Sequence, residues 1–315
     1  TPSTAPAAYG GSTATRPIQP IPQIQQLAAR DNESLISTVT PASMRVISIF
    51  FWLLALVAQP ALAASSPRLQ SLEHQLGWLL HSRSGDAGVA PLDLATGEVV
   101  SIQGHEPFPM ASTVKIAVAA NYLAQVEYGR RSLDDRIGGR SARSLMEAMI
   151  IRSDNHATDV LIRDLGGPDT IQSWLDQHKI TGLRIDRTIA QLLRAKRDLQ
   201  DVRDSSSPLA MVELLRRIDK GELLRPQSRA YLLGLMAQCK TGRNRIRGLL
   251  PAGTRVEHKT GTLNGLTTDV GFITLPNGHR IAVAVFARYG SNRPRTIAET
   301  ARAIYDGFVN AFRRP

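Results

Sequence analysis

Cysteine is all but missing: Cys239 stands alone in 315 residues, which excludes an intrachain disulfide. It is expected on an apolar helix face as a small hydrophobe, because no paired histidine and electropositive setting equip it as a catalytic thiol. The seven histidines are dispersed, with no His-Glu-x-x-His and no zinc spacing, so the reading calls for no metal and no cofactor. There is no Gly-x-Ser-x-Gly elbow either. The net formal charge is +11, yet no basic segment is studded with aromatics, and a solvated basic surface is expected rather than a nucleic-acid partner. No internal repeat or Gly/Ser-rich linker divides the chain.

What is present begins with a composition shift. Residues 1–43 are rich in Thr, Ser, Ala, Pro and Gln, and only Arg16, Arg30, Asp31 and Glu33 are charged, as in a disordered or mis-called upstream extension. Residues 44–63 read as a secretory signal peptide: Met44-Arg45, an apolar run from Val46 to Val57 too short for a comfortable membrane span, and small residues at Ala61-Leu62-Ala63 for cleavage. The expectation is a periplasmic or secreted monomer with no stable membrane span after cleavage, consisting of residues 64–315 as one catalytic domain.

Hydrophobic periodicity orders that domain. An amphipathic helix covers Leu69 to Leu80, and strands follow at Gly85 to Val89, Leu92 to Leu94 and Val99 to Ile102, with Pro91 marking an edge or bulge. Helices are expected at Val114 to Val126, Ala142 to Ile151, His156 to Leu165, Pro168 to His178, Pro208 to Asp219 and Gln227 to Cys239, with a looser stretch from Arg187 to Asp204. Strands return at Thr254 to His258, Thr267 to Leu275 and Arg280 to Arg288, before a helix from Arg295 to Phe312. The fold class is therefore α+β, an α/β sandwich: a five-stranded antiparallel sheet from both chain ends, packed with the terminal helices, with a helical subdomain inserted.

Three short motifs carry chemistry: Ser112-Thr113-Val114-Lys115, Ser153-Asp154-Asn155 and Lys259-Thr260-Gly261. A serine hydroxyl needs a neighbour to take its proton, and Lys115 lies one helical turn from Ser112. The residues from Val114 to Ala120 leave almost no polar face, so Lys115 is expected to be buried, with its pKa lowered by burial and by a second cation such as Lys259. Ser112, at the start of its helix, gains from free backbone N–H groups. Between helices, Ser153 can relay a proton to a leaving nitrogen and Asn155 can bind an amide carbonyl, while Asp154 is suited to holding the loop. Lys-Thr-Gly occurs twice. Lys240-Thr241-Gly242 is read as a decoy closing a helix with Gly242 as its cap, whereas Lys259 follows a strand and precedes another. Lys259 can attract a substrate carboxylate, Thr260 can hydrogen-bond it, Gly261 permits close backbone approach, and the Thr262 and Ser112 N–H groups can form an oxyanion hole.

With these motifs the chain resembles the class A serine β-lactamases, among the penicillin-recognising serine hydrolases, across almost all of residues 68–312. The stretches from Phe108 to Lys115, Met149 to Ala157, Asp204 to Pro208 and Lys259 to Phe272 look like family segments. The resemblance implies the fold read above, a serine hydrolase forming an acyl-enzyme at Ser112 with β-lactams, and Arg187 and Asp204 as salt-bridged anchors of an Ω-loop.

The same resemblance departs in three places. The family glutamate that activates the deacylating water falls on Ile189 counting forward from Arg187, or on Gln191 counting back from Asp204, and the only acids inside the loop are Asp198 and Asp201. The segment between Ser112 and Ser153 is shorter than in typical members. The usual carboxylate-binding arginine is missing, with Thr267-Thr268 in that region and Arg293 or Arg295 as candidate replacements. The expected activity is β-lactam hydrolysis with slow deacylation. The alternatives are a DD-peptidase or penicillin-binding hydrolase acting on D-Ala-D-Ala-type peptides, and a non-catalytic envelope-binding protein.

Overall fold

Alternation in the last strand organises the molecule. In the strand Arg280–Arg288, Ile281, Val283 and Val285 belong to one buried cluster and Ala282, Ala284 and Phe286 to another, so both faces of the sheet are covered. The computed structural model describes residues 67–313, and the expected extension (1–43) and leader (44–63) lie outside the described residues.

We number the elements α1 (Pro67–His81), β1 (Asp86–Asp93), β2 (Phe108–Pro109), α2 (Lys115–Glu127), β3 (Arg136–Ile137), β4 (Arg140–Ser141), α3 (Ala142–Ile151), α4 (Asn155–Asp164), α5 (Pro168–Gln177), α6 (Ile189–Arg194), β5 (Ser205–Ser206), α7 (Pro208–Asp219), α8 (Pro226–Ala237), β6 (Val256–Leu263), β7 (Leu266–Thr274), β8 (Arg280–Arg288) and α9 (Arg293–Arg313). The main sheet runs β1-β8-β7-β6, and every pairing is antiparallel. One face packs on the terminal helices: Leu69, Leu72 and Leu76 of α1 and Ile297, Ala301, Ile304 and Phe308 of α9 share a core with Val89, Val283 and Ile273. The other face meets the inserted helices, centred on α2, which is buried without a break from Lys115 to Ala124.

The architecture is the α+β arrangement expected, with four ladder strands rather than five. The segment 99–102 touches β1 only at the isolated bridges Leu92↔Val99 and Val89↔Ile102. The reason is Pro91. The backbone groups of Val89, Pro91 and Asp93 face this outer segment, where Val89 exchanges bonds with Ile102 at 2.9 and 3.0 Å and Pro91 accepts from Val100 at 3.1 Å. Pro91 has no N–H to return, so the ladder on that side breaks. On its other side β1 is continuous from Asp86 to Asp93, merging the two short strands expected there.

Candidate active site

The segment carrying Ser112 does not begin as a regular α-helix. Ala111–Val114 form a 3-10 turn that hands over to α2 at Lys115, and Ala111 adopts a left-handed φ of 50°. Ser153 is also left-handed, at φ 59°. Such conformations cost on the order of 1 kcal/mol or more for a residue with a Cβ and persist only where the surroundings impose them.

Around Ser153 those surroundings are two lysines. Lys115 Nζ donates to Ser153 O (2.7 Å), Ser153 Oγ (3.2 Å) and Asn155 Oδ1 (2.8 Å), while Lys259 Nζ donates to the same Ser153 Oγ (2.9 Å) and to Thr260 O (2.8 Å). Both lysine side chains are buried. Burial first, and then the charge of Lys259, lower the Lys115 pKa to about 7, against the opposing pull of Asp154 and Asp159. Burial lowers Lys259 to about 8, with Cys239 and Asp269 opposing. Ser112 is half-buried, and its hydroxyl makes no hydrogen bond among the described residues; the Lys115 ammonium is turned toward Ser153 and Asn155. Asp154 caps α4 by accepting from Ala157 N at 2.7 Å, which is the loop-holding part expected for it.

The lysines reach one hydroxyl from opposite layers because β6 runs hard against the turn bearing Ser112. A Cβ on Gly261 would run into Thr268 Oγ1 and stand 2.7 Å from the Met110 carbonyl oxygen and 3.0 Å from Ala111 Cβ, so only glycine admits this approach. Thr260 is buried and Thr262 exposed on the same strand, and β6 extends through the whole Lys-Thr-Gly segment rather than stopping at His258.

The other Lys-Thr-Gly is not a helix cap. Helix α8 ends at Ala237, and Thr241 Oγ1 hydrogen-bonds Thr260 Oγ1 at 2.5 Å, so the first copy packs on the second. Cys239 lies buried beyond the helix end rather than on its face, with Sγ 3.3 Å from Thr241 Oγ1. The same segment delivers a residue that the sequence reading missed. The Arg245 guanidinium donates to Gly261 O (2.8 Å), Thr268 O (2.9 Å) and Thr262 Oγ1 (2.7 Å), and burial lowers its pKa. Of the two other arginines expected here, Arg295 pairs with Glu299, whereas Arg293 donates to the carbonyls of Tyr289 and Gly290 and its Nε lies 3.4 Å from Thr267 Oγ1, on the residue paired with Thr262. The positional signal for Arg245 was its place just after the first Lys-Thr-Gly. Asp269 supports this corner, accepting from Ile246 N (3.1 Å) and pairing with buried His258 Nδ1 (2.8 Å), so His258 is a strand residue with a structural partner.

The loop from Arg187 to Asp204 has its anchors: Arg187 Nε and Asp204 Oδ2 are 2.5 Å apart, and Asp204 Oδ1 accepts the N–H groups of Asp186 and Arg187. Within it, α6 opens on a capping box in which the Gln191 side chain turns back to Thr188 N, away from any cleft chemistry. Ile189 is buried, and its N–H and that of Ala190 bind the two oxygens of Asp159 at 2.7 and 2.9 Å. This buried carboxylate, one turn after Asn155 on α4, also escaped the sequence reading. Asp201 is clamped by Arg187 and Arg203, and its hydrogen bonds to Arg203 hold its pKa down to about 2; Asp198 is exposed and accepts from Gln200 N.

A sandwich with a helical insert, and a serine turn and paired lysines where the two meet, describes a known class. The sequence profile of the β-lactamase enzyme family matches residues 71–308, and the chain belongs to that family. Among its relatives, β-lactamase OXY-2 of Klebsiella oxytoca is 31% identical over 278 residues, covering 80% of this chain and 93% of that protein. β-Lactamase VEB-1 of Pseudomonas aeruginosa is 27% identical over 282 residues, covering 78% and 93% respectively. The solved structure of a class A β-lactamase representing the last common ancestor of Gram-negative bacteria (GNCA4) superposes with a TM-score of 0.71 at 37% identity, covering 76% of this chain and 99% of that one. No helix among the described residues is long and apolar enough to cross a membrane.

Proposed function

We propose that this protein is a serine hydrolase that opens β-lactams through an acyl-enzyme on Ser112 and releases the product slowly. The observation that carries the reading is the convergence of Lys115 and Lys259 on the Ser153 hydroxyl. Near pH 7 about half of Lys115 is neutral, and the free amine takes the Ser112 proton as Oγ attacks the lactam carbonyl. The Ser112 and Thr262 N–H groups receive the oxyanion. As the C–N bond breaks, the proton passes through Ser153 Oγ to the leaving nitrogen. Lys259, Thr260 and Arg245 bind the substrate carboxylate, Asn155 binds the side-chain amide carbonyl, and Gly261 gives the strand its close approach.

Slow release follows from Ile189, an aliphatic side chain where the family's water-activating glutamate is expected. That same observation favours a second reading, a penicillin-binding DD-peptidase whose natural acyl group is a D-Ala-D-Ala-type peptide. Stopped-flow nitrocefin hydrolysis with intact-mass analysis separates them. A burst followed by slow sustained turnover supports the β-lactamase, a stoichiometric burst with a lasting Ser112 adduct supports the penicillin-binding enzyme, and no adduct eliminates both. Ser112→Ala is expected to abolish the adduct. Export with cleavage near Ala63 belongs to the same reading, supported by the apolar run from Val46 to Val57. N-terminal sequencing that found any of residues 1–43 in the exported protein would sink it.

A further inference from the structure

The carboxylate end of the site carries more positive charge than one carboxylate needs. Arg152, Lys240 and Arg243 are exposed, and none of their charged groups has a hydrogen-bond or ion-pair partner among the described residues. The backbone holds all three at one rim. Arg152 immediately precedes Ser153, and Lys240 N donates to Ile151 O at 2.9 Å, which joins the strand-side segment to the end of α3. Lys240 precedes Thr241, whose hydroxyl binds Thr260. Arg243 follows Gly242, where a Cβ would stand 2.5 Å from Thr260 Cγ2, and lies two residues before Arg245.

The nearby carboxylates are committed elsewhere. Asp154 caps α4, Asp269 is buried with His258 and Ile246 N, and Glu147 faces the groove lined by Tyr231 and Gln238. Three uncompensated cations at the lip of a pocket already holding Lys259 and Arg245 create a positive field that extends outward from the carboxylate subsite.

We infer that this rim selects substrates with a second anion on the carboxylate-bearing ring, that is, cephalosporins whose 3-substituent carries a sulfonate or carboxylate. This rests on the acyl-enzyme reading above. The 3-carbon adjoins the carbon bearing the ring carboxylate, so a substituent there stays beside the Lys259, Thr260 and Arg245 pocket, at the rim built by the segments that carry Arg152, Lys240 and Arg243. A second anion offsets part of the rim's charge, and a neutral 3-substituent leaves the rim solvated.

The test measures the second-order rate constant for Ser112 adduct formation, by intact mass, with a cephalosporin bearing an anionic 3-sulfonate substituent and with its neutral acetoxymethyl counterpart. The wild-type protein is expected to favour the anionic compound about five- to tenfold at low ionic strength, with the ratio falling toward about twofold in 0.5 M salt as the exposed charges are screened. In the triple variant R152Q/K240Q/R243Q the ratio is expected to fall to about one; the positions are exposed, and a thermal melt reports that the variant is folded. A wild-type ratio near one overturns the inference while leaving the acyl-enzyme reading standing. A ratio that survives in the folded triple variant also overturns it, since the preference then arises elsewhere. No adduct with either compound overturns the acyl-enzyme reading and the inference with it.

Discussion

Two buried lysines sharing one hydroxyl set opposite demands on pH. Acylation by the proposed route needs Lys115 neutral, so its rate rises as pH passes about 7, and it needs Lys259 charged, so it falls as pH passes about 8. The acylation rate with nitrocefin is therefore expected to trace a narrow bell between these values, which belong to the interacting pair. A flat profile from pH 6 to 9 would show that neither lysine titrates in the reaction. The same groups bear on stability. Both lysines titrate well below the ordinary 10.5 when folded, so between about pH 7 and 10 the unfolded chain binds more protons and stability rises with pH. The melting temperature is expected to be higher at pH 8.5 than at pH 6.5, and the gap is expected to shrink in K115M, which removes one of the two buried cations. An equal or lower melting temperature at pH 8.5 in the unmutated protein contradicts this.

At the scale of the element, the proposed route gives the loop from Arg187 to Asp204 control over how fast the acyl-enzyme is released. Its neck is fixed by Arg187 and Asp204, and its first turn is fixed by Asp159 on the Ile189 and Ala190 N–H groups. I189E is therefore expected to place a carboxylate without rebuilding the loop and to raise deacylation roughly 10²-fold, the lower end of what a positioned base supplies. Q191E is expected to do nothing, because that side chain points back to Thr188 N. Steady-state nitrocefin turnover of the two variants checks this, and turnover appearing with Q191E alone would reverse the alignment of the loop. The sequence made the loop anchors, the three motifs and the helix order readable, because each is a local pattern of spacing and residue type. Arg245 and Asp159 were not readable in this way. One sits in a segment that looked like a duplicate motif, and the other looked like any polar residue on a helix; only the folded chain brings them to β6 and to the loop. The fifth strand failed for a single missing N–H at Pro91, an effect that depends on which edge of β1 that residue faces. Ser112 in a 3-10 turn rather than a helix start reflects tertiary pressure from β6 on Ala111, which no local propensity encodes.

Over the whole molecule, the site exists only where the helical insert meets the sheet, and the sheet is closed by the two ends of the described chain. Lys115 and Ser153 come from the insert and Lys259 from β6, while β1 pairs with β8 and α1 packs on α9. Weakening the terminal helices, far from any reacting group, should therefore remove activity and structure together. Phe308 is fully buried between α1 and the sheet face, and Leu72 of α1 presses on Gly307 beside it. F308A is expected to cost about 3–5 kcal/mol through lost burial and the cavity left behind. For a protein of this size that lowers the melting temperature by roughly 6–20 °C. Because β6, β7 and β8 form one ladder on that same core, Ser112 labelling by a β-lactam should be lost along the same thermal transition as far-UV ellipticity, and both should shift together in the variant. If labelling survives while ellipticity falls, the insert with Ser112 folds independently of the terminal helices. If labelling is lost many degrees earlier, the junction between insert and sheet opens before the sheet does.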